Sequence, residues 1–137
     1  MDEILESMKL LSDRSRLRIL MLLSERELCV CQIMGVLNMS QPLVSRNLSM
    51  LHKAGFLDDR RDGKMIFYTV KKRLRKVQRL LFDVIANALL DDRQVAADVK
   101  SLGECQEFQM QTGKCGMETY LAYMKRKAGK AKRGSAL

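Results

Sequence analysis

Two cysteines lie one residue apart in the stretch ELCVCQI, at positions Cys29 and Cys31. The chain has four cysteines in 137 residues, and the other two are Cys105 and Cys115. Thiolates bind soft metals and metalloids, and accessible thiols can be oxidised. The pair therefore indicates a metal or metalloid site or a redox sensor. The alternative without a function is that both thiols are small buried hydrophobic groups.

A regular helix would not let one ion hold both sulfurs of a Cys-X-Cys sequence. Side chains two residues apart point about 200° apart on a helix, whereas in an extended segment they share a side. Joint ligation by Cys29 and Cys31 therefore requires that the segment around them is extended or unwound. Because this segment leads into a predicted helix, ligation would bias the conformation of that helix as well as fill a site.

The elements that position the two thiols are predicted to be mostly helical, because apolar residues recur at helical spacing. Ser12 is the expected N-cap of the second helix. Ser40 is the expected N-cap of the fourth, with Pro42 in its first turn and Gly55 at its end. The predicted helices cover residues 4–11, 13–24, 30–37, 40–54 and 71–90, and a last one starts at Met117.

The pattern changes from helical to alternating at Phe56. FLDDRR, the turn dipeptide Asp62-Gly63 and KMIFYTV together predict a β-hairpin. Helix, tight turn, capped helix and hairpin describe a winged helix-turn-helix, so the fold class is mainly α with a two-stranded β-hairpin. The long apolar stripe of residues 71–90 is too large for this small domain to bury alone, which predicts a homodimer.

The second helix of a helix-turn-helix enters the major groove of double-stranded DNA, and its polar face carries groups that bond to base edges and phosphates. A net charge of +9 also favours a nucleic-acid partner. The alternatives are a solvated helix face and a hairpin whose aspartates weaken its attraction for DNA. The predicted DNA-binding residues are Ser40, Gln41, Ser45, Arg46 and Ser49 on the helix and Arg60, Arg61 and Lys64 on the hairpin.

Residues 93–137 form an extension that differs from the first part of the chain. We predict a DNA-binding and dimerisation domain at residues 1–92 and a C-terminal extension at 93–137 that carries Cys105, Cys115 and a basic tail. No apolar run approaches the length of a membrane span, and the N-terminal sequence MDEILESMKLLSDRSR does not resemble a signal peptide. We therefore expect a cytoplasmic protein, in which cysteines act as thiols or ligands before they form disulfides.

Several separated motifs together resemble the ArsR/SmtB family of metal- and arsenic-responsive repressors. They are LSDRSRLRIL, ELCVCQI, SQPLVSRNLSMLHKAGFL and RRDGKMIFYTV, in this order, within residues 4–90. The resemblance implies a homodimeric winged-helix repressor that leaves its operator when a thiophilic inducer binds. Asn47 departs from the family, since many members carry His there. In arsenic-sensing relatives a third cysteine follows ELCVC, and this chain has Met34 in its place.

The resemblance implies trivalent arsenic as the inducer and leaves the third ligand open. Arsenite prefers three sulfurs, so Cys105 or Cys115 would complete the site, whereas methylarsenite needs only Cys29 and Cys31. A four-thiolate site of Cys29, Cys31, Cys105 and Cys115 would instead suit Cd(II), Pb(II) or Zn(II). Cys105 and Cys115 could also be incidental thiols. Zinc sensors of the family use His on the dimer helix, and the only His here is His52.

Two further classes of function compete with metalloid sensing. A redox sensor would oxidise Cys29 or Cys31 and would need Cys105 or Cys115 as its partner, because a Cys-X-Cys disulfide closes a strained ring. An enzyme would need a catalytic constellation, and the chain has one His, no Gly-rich phosphate loop and no paired carboxylates in a cleft-like context. The sequence therefore predicts a repressor and not an enzyme.

Overall fold

The computed structural model describes residues 1–113 and 116–135, with side chains described to residue 130. The elements are, in chain order, α1 (Asp2–Leu11), α2 (Arg14–Glu25), β1 (Leu28–Cys29), α3 (Val30–Leu37), α4 (Gln41–Lys53), β2 (Leu57–Asp62), β3 (Met65–Val70), α5 (Lys76–Ala88), α6 (Arg93–Thr112) and α7 (Met117–Ser135). Helices α3 and α4 form the helix-turn-helix, and β2 and β3 form the wing. The predicted winged helix-turn-helix is confirmed.

The helix boundaries follow from caps, and one predicted cap is wrong. Asp13, not Ser12, caps α2, because its side chain accepts a hydrogen bond from the Arg16 backbone at 2.9 Å. Ser12 ends α1 instead, with its backbone N–H bonded to the Lys9 carbonyl. Ser40 caps α4 as predicted, since its hydroxyl accepts from the Leu43 N–H at 3.4 Å.

The sheet has three strands in the order β1-β3-β2. The hairpin of β2 and β3 is confirmed, and its turn uses Gly63 at φ +61°. The additional strand β1 was not predicted, because two residues are too short to show alternation. It pairs Leu28 with Tyr68 and Cys29 with Phe67, so the first cysteine of the pair belongs to the edge of the wing sheet.

One hydrophobic core joins the helix-turn-helix to the C-terminal helices. The predicted inward faces of α3 and α4 are buried, including Ile33, Val44 and Leu51 at 0% exposure. Residues 93–112, which are weakly patterned in sequence, form one helix capped by Asp92. The extension contributes Leu102, Cys105, Tyr120 and Tyr123 to the same core. The division of the chain at residue 92 stays a prediction.

Helix α5 is shorter than predicted. It begins at Lys76 and not at Lys71, because the Lys71 N–H bonds to the Phe56 carbonyl at 2.9 Å and continues the wing geometry. Its outward face is apolar and exposed at Leu80 and Val84, and α1 packs beside it. Within the described part of the chain, no helix is both long and apolar enough to span a bilayer.

Candidate thiol site and nucleic-acid interface

The thiols of Cys29 and Cys31 interact at the start of α3, since the Cys31 thiol is the first cause of the raised pKa of Cys29. Cys29 is the N-cap residue and has extended backbone angles, φ −94° and ψ 171°, whereas Cys31 lies in the first helical turn. The extended N-cap lets the first side chain approach the second without unwinding of the helix. This backbone geometry is compatible with joint ligation by a Cys-X-Cys sequence.

Gln32 fixes the backbone around Cys29 through a reciprocal capping box. The Gln32 side-chain oxygen accepts from the Cys29 N–H at 2.9 Å, and the Cys29 sulfur accepts from the Gln32 N–H. Such boxes satisfy two N–H groups that a helix start otherwise leaves unpaired. This role of Gln32 was not predicted, although its position three residues after the cap is the spacing that marks a capping box.

The two thiols differ in their access to solvent. Cys29 is buried at 2% exposure and Cys31 is half-buried. The pKa of Cys29 is raised well above the ordinary thiol value, first by its hydrogen bond with the Cys31 thiol and second by burial. Cys29 is therefore protonated at neutral pH, and a ligand that binds its sulfur must displace a proton.

No third ligating side chain is grouped with this pair among the described residues. Cys105 is buried on α6, and Met34 is buried in the core. No group of three or more His, Cys, Asp or Glu side chains that could hold a metal ion occurs in residues 1–113 and 116–135. Cys115 lies outside the described residues, so its predicted role as a ligand stays a prediction.

Helix α6 runs antiparallel to α3, as two hydrogen bonds between them show. The Ser101 hydroxyl donates to the Val36 carbonyl at 2.9 Å near the end of α3. Eight residues later on α6, the Gln109 side chain accepts from the Gln32 side chain at 3.2 Å near its start. Cys105 lies halfway between these two contacts. The C-terminal end of α6 is therefore the end beside Cys29.

The residues predicted to read DNA lie on α4 and on the wing, and their side chains are exposed. Helix α4 buries Val44, Leu48 and Leu51, and its opposite face carries the predicted polar side chains. All eight predicted residues are exposed, namely Ser40, Gln41, Ser45, Arg46, Ser49, Arg60, Arg61 and Lys64. Asn47 belongs to the inner face, since it is buried and accepts from the Arg16 guanidinium at 3.4 Å.

Arg60 on the wing forms ion pairs within the protein. Its guanidinium donates to both carboxylate oxygens of Glu27, with Nη2 to Oε1 at 2.6 Å, and it lies over the Phe67 ring. Glu27 is two residues before Cys29. This ion pair was not predicted, because the two residues are far apart in the chain. Arg61 and Lys64 are exposed near the turn of the wing.

Comparisons with known proteins decide the family. Residues 13–59 match the arsR family of bacterial regulatory proteins. An arsenic resistance transcriptional regulator of Pseudomonas putida is 36% identical over 102 residues, which cover 72% of this chain and 77% of that protein. The chain belongs to the ArsR family.

Other relatives of this ArsR-family chain include regulators named for arsenical resistance and for cadmium resistance. The arsenical resistance operon repressor of Escherichia coli is 45% identical over 67 residues, which cover 48% of this chain and only 57% of that repressor. The cadmium resistance regulator CadC of Listeria innocua is 42% identical over 64 residues, covering 46% of this chain and 54% of that protein.

A solved structure agrees with the winged fold. The homodimeric winged helix-turn-helix DNA-binding domain of Mb0332 from Mycobacterium bovis, described as a possible ArsR-family regulator, superposes with a TM-score of 0.53 at 32% identity. The superposition covers 66% of this chain and 83% of that domain. The predicted resemblance to the ArsR/SmtB family is thus confirmed, and the family is one of regulators and not of enzymes.

Proposed function

We propose that this chain is a transcriptional repressor that binds operator DNA as a homodimer and leaves it when trivalent arsenic binds Cys29 and Cys31. The observation that carries the proposal is the contact of the two thiols at the first turn of α3, the helix that precedes the DNA-reading helix. The relatives from E. coli and P. putida, which are named for arsenic resistance, support arsenic as the inducer.

The chemistry of arsenite suits protonated thiols. Arsenous acid condenses with two thiols to give two As–S bonds, and each thiol proton leaves with an arsenic-bound hydroxide as water. The reaction therefore releases no net protons, and the raised pKa of Cys29 does not oppose it. Methylarsenite reacts in the same way at the same two sulfurs, with its methyl group in the third position.

Cys115 is a better candidate than Cys105 for a third sulfur. Cys105 lies midway along α6, buried in the core. Helix α6 continues from Gln109, beside Gln32, to its end at Thr112, so the chain leaves α6 at the end of α3 that carries Cys29. This direction supports ligation by Cys115 within the same protomer and gives the extension a part in sensing.

Two serine variants test the third ligand. We expect Cys115→Ser to weaken the arsenite response and to leave the methylarsenite response unchanged, because the methyl group occupies the position of the third sulfur. Cys105→Ser is the matched control and should respond to both arsenicals like the parent. Equal responses of Cys115→Ser and the parent to arsenite would mean that Cys115 is not a ligand and that the site consists of Cys29 and Cys31.

The position of the thiols suggests how ligation reaches the DNA-binding surface. Cys29 belongs to β1, which pairs with β3 of the wing. Cys29 is also the N-cap of α3, and α3 leads through a short turn into α4. Arsenic that bridges the two sulfurs would hold the edge of the wing sheet and the start of α3 in the chelating conformation. Both elements orient groups that we propose contact DNA, and release requires that the operator binds best to protein without this bridge.

Dimerisation is proposed through α1 and α5. Their outward faces expose a run of large apolar side chains, namely Ile4, Leu5, Met8, Leu80 and Val84. A patch of this kind is typical of a protein interface, and an isologous contact would bring two α4 helices to two half-sites. The homodimeric Mb0332 domain supports this assembly.

A soft divalent metal is the second candidate inducer, because a cadmium resistance regulator is among the relatives. Cd(II) would bind Cys29 and Cys31 as thiolates, with Cys105 and Cys115 as further ligands, and Pb(II) or Zn(II) would do the same. Each thiol would release a proton, so Cd(II) affinity should rise with pH, whereas arsenite affinity should not. Operator release measured with both inducers at pH 6.5 and 7.5, alongside a peroxide control for thiol oxidation, separates these mechanisms.

A further inference from the structure

The C-terminal extension holds the end of α3 with three hydrogen bonds. The Lys127 ammonium donates to the Gly35 carbonyl at 3.2 Å and to the Val36 carbonyl at 2.9 Å. The Ser101 hydroxyl donates to the same Val36 carbonyl. These carbonyls belong to the last turn of α3, where a helix leaves its C=O groups unpaired and favours cations.

Helix α7 packs closely on α3 at Gly35, in the same last turn. A Cβ atom at this position would lie 3.2 Å from the Tyr120 ring and 3.4 Å from the Tyr123 ring. Both tyrosines are buried, and the Tyr123 hydroxyl donates to the Ser101 carbonyl at 2.9 Å. The helix that starts with the two thiols therefore lies against the extension along its length.

The start of α3 is tied to the extension through Gln109. Its side-chain oxygen accepts from the Gln32 amide at 3.2 Å and from the Tyr120 hydroxyl at 2.8 Å. The other end of the Gln32 amide accepts from the Cys29 N–H at 2.9 Å. A continuous chain of hydrogen bonds thus leads from α7, through Gln109 and Gln32, to the backbone of the first cysteine.

We propose that Gln109 is a positioning residue that sets the affinity of the thiol pair for its inducer. Gln109 fixes the orientation of the Gln32 amide, and the Gln32 amide fixes Cys29 at the N-cap, where its sulfur meets that of Cys31. The inference rests on the proposed function. The role of Gln109 goes beyond the proposed function, because Gln109 lies outside residues 13–59, the segment that matches the family.

The physical reason is preorganisation. With Gln109 in place, the Gln32 amide is bonded at both ends, and the two sulfurs are already together before an inducer arrives. Without the Gln109 oxygen, the Gln32 N–H₂ group must bond to another acceptor. The Cys29 backbone then samples several conformations, and the N-cap conformation is only one of them. The inducer must then select the chelating conformation from a mixture, which lowers its apparent affinity.

The experiment compares Gln109→Leu with Gln111→Leu, a matched control at an exposed position of the same helix. Arsenite is titrated into each DNA-free protein, and the absorbance of the arsenic–sulfur bonds reports binding. We expect Gln109→Leu to need about two- to tenfold more arsenite than the parent, as the loss of one hydrogen bond implies. Tyr120→Phe, which keeps the ring against Gly35, should shift affinity in the same direction. An unchanged or lower arsenite requirement for Gln109→Leu would overturn the proposal.

A double-mutant cycle separates positioning from a general loss of stability. In a Gln32→Leu background, the Gln109 oxygen no longer acts on Cys29, so Gln109→Leu should have no further effect on arsenite affinity. An equal shift in both backgrounds would mean that Gln109 only stabilises the fold, and it would contradict the proposal.

The same titration distinguishes failure of this inference from failure of the proposed function. A parent protein that binds arsenite but stays on the operator would contradict the proposed function and leave the Gln109 comparison intact. A parent that binds arsenite and leaves the operator, with Gln109→Leu indistinguishable from it, would overturn only the role of Gln109. A parent without arsenic–sulfur absorbance would overturn both.

Discussion

The guanidinium of Arg60 on the wing lies 2.6 Å from the carboxylate of Glu27, which stands two residues before the first thiol of the pair. The ion pair holds the pKa of Glu27 below its usual range, because the carboxylate accepts hydrogen bonds from Arg60. A cation engaged in this way is less available to a DNA phosphate. If Arg60 contacts DNA as predicted, Glu27 competes with a DNA phosphate for its guanidinium.

We predict that Glu27→Gln tightens operator binding by releasing Arg60. One additional phosphate contact should also make the dependence of log K on log salt steeper by about 1. Fluorescence anisotropy over a salt series measures both quantities. Glu25→Gln removes the same charge from a nearby exposed position and is the control. Equal salt slopes for the two variants would mean that Arg60 does not reach DNA.

Arg46 is the residue of α4 that we expect to read a base. It is exposed on the face opposite the buried Val44 and Leu48. Arg46→Ala should weaken operator binding by about 1–3 kcal/mol and relax specificity at one base position. Anisotropy titrations against the operator and single-base variants test this. Affinity equal to that of the parent would remove Arg46 from the contact set.

The dimer is tested best at Val84, which is 66% exposed on α5. Leu81 belongs to the same predicted stripe but packs against the core of its own protomer, so a charge there would also disturb folding. Val84→Lys should give monomers and lose operator binding, because two half-sites must be engaged together. Sedimentation measures the mass, and Met110→Lys on the exposed side of α6 is the control. A dimeric Val84→Lys protein would show that the interface lies elsewhere.

The stability of the protein should depend on Cys29 at alkaline pH. Since the folded state raises the pKa of this thiol above its ordinary value of 9.0, the unfolded chain loses the proton first. The contribution of the protonated Cys29 thiol to the free energy of unfolding is complete below the ordinary value of 9.0. It is lost as pH rises above that value, by at most about 1.4 kcal/mol per pH unit. Urea unfolding of the parent and Cys29→Ser at pH 8 to 10 isolates this effect, because raised tyrosine pKa values are common to both. Parallel pH profiles would contradict it.

The sequence predicted local features well where a few neighbouring residues determine them. The cap of α4 at Ser40 and the turn at Gly63 are examples, since each depends on the chemistry of one or two positions. Helix α3 was predicted with its correct ends from two inward-facing residues. The cap of α2 was misplaced by one residue, because Ser12 and Asp13 are both suitable caps and only the end of α1 decides between them.

Contacts between distant segments could not be predicted in this way. The pairing of Cys29 with Phe67, the ion pair of Glu27 with Arg60 and the bond between Gln32 and Gln109 all join residues that are far apart in the chain. Nothing in local periodicity specifies which distant partner a polar side chain finds. The thiol pair was therefore predictable as a site, whereas the network that positions it was not.

Release of the parent protein and of the Cys29→Ser, Cys31→Ser double variant from operator DNA by arsenite tests the central claim most directly. Serine is close in size to cysteine but is not a soft ligand, so the variant should fold and bind the operator with the affinity of the parent. We predict that arsenite releases the parent from the operator. The double variant should stay bound at every arsenite concentration at which the protein remains folded. Normal release of the double variant by arsenite would contradict the claim.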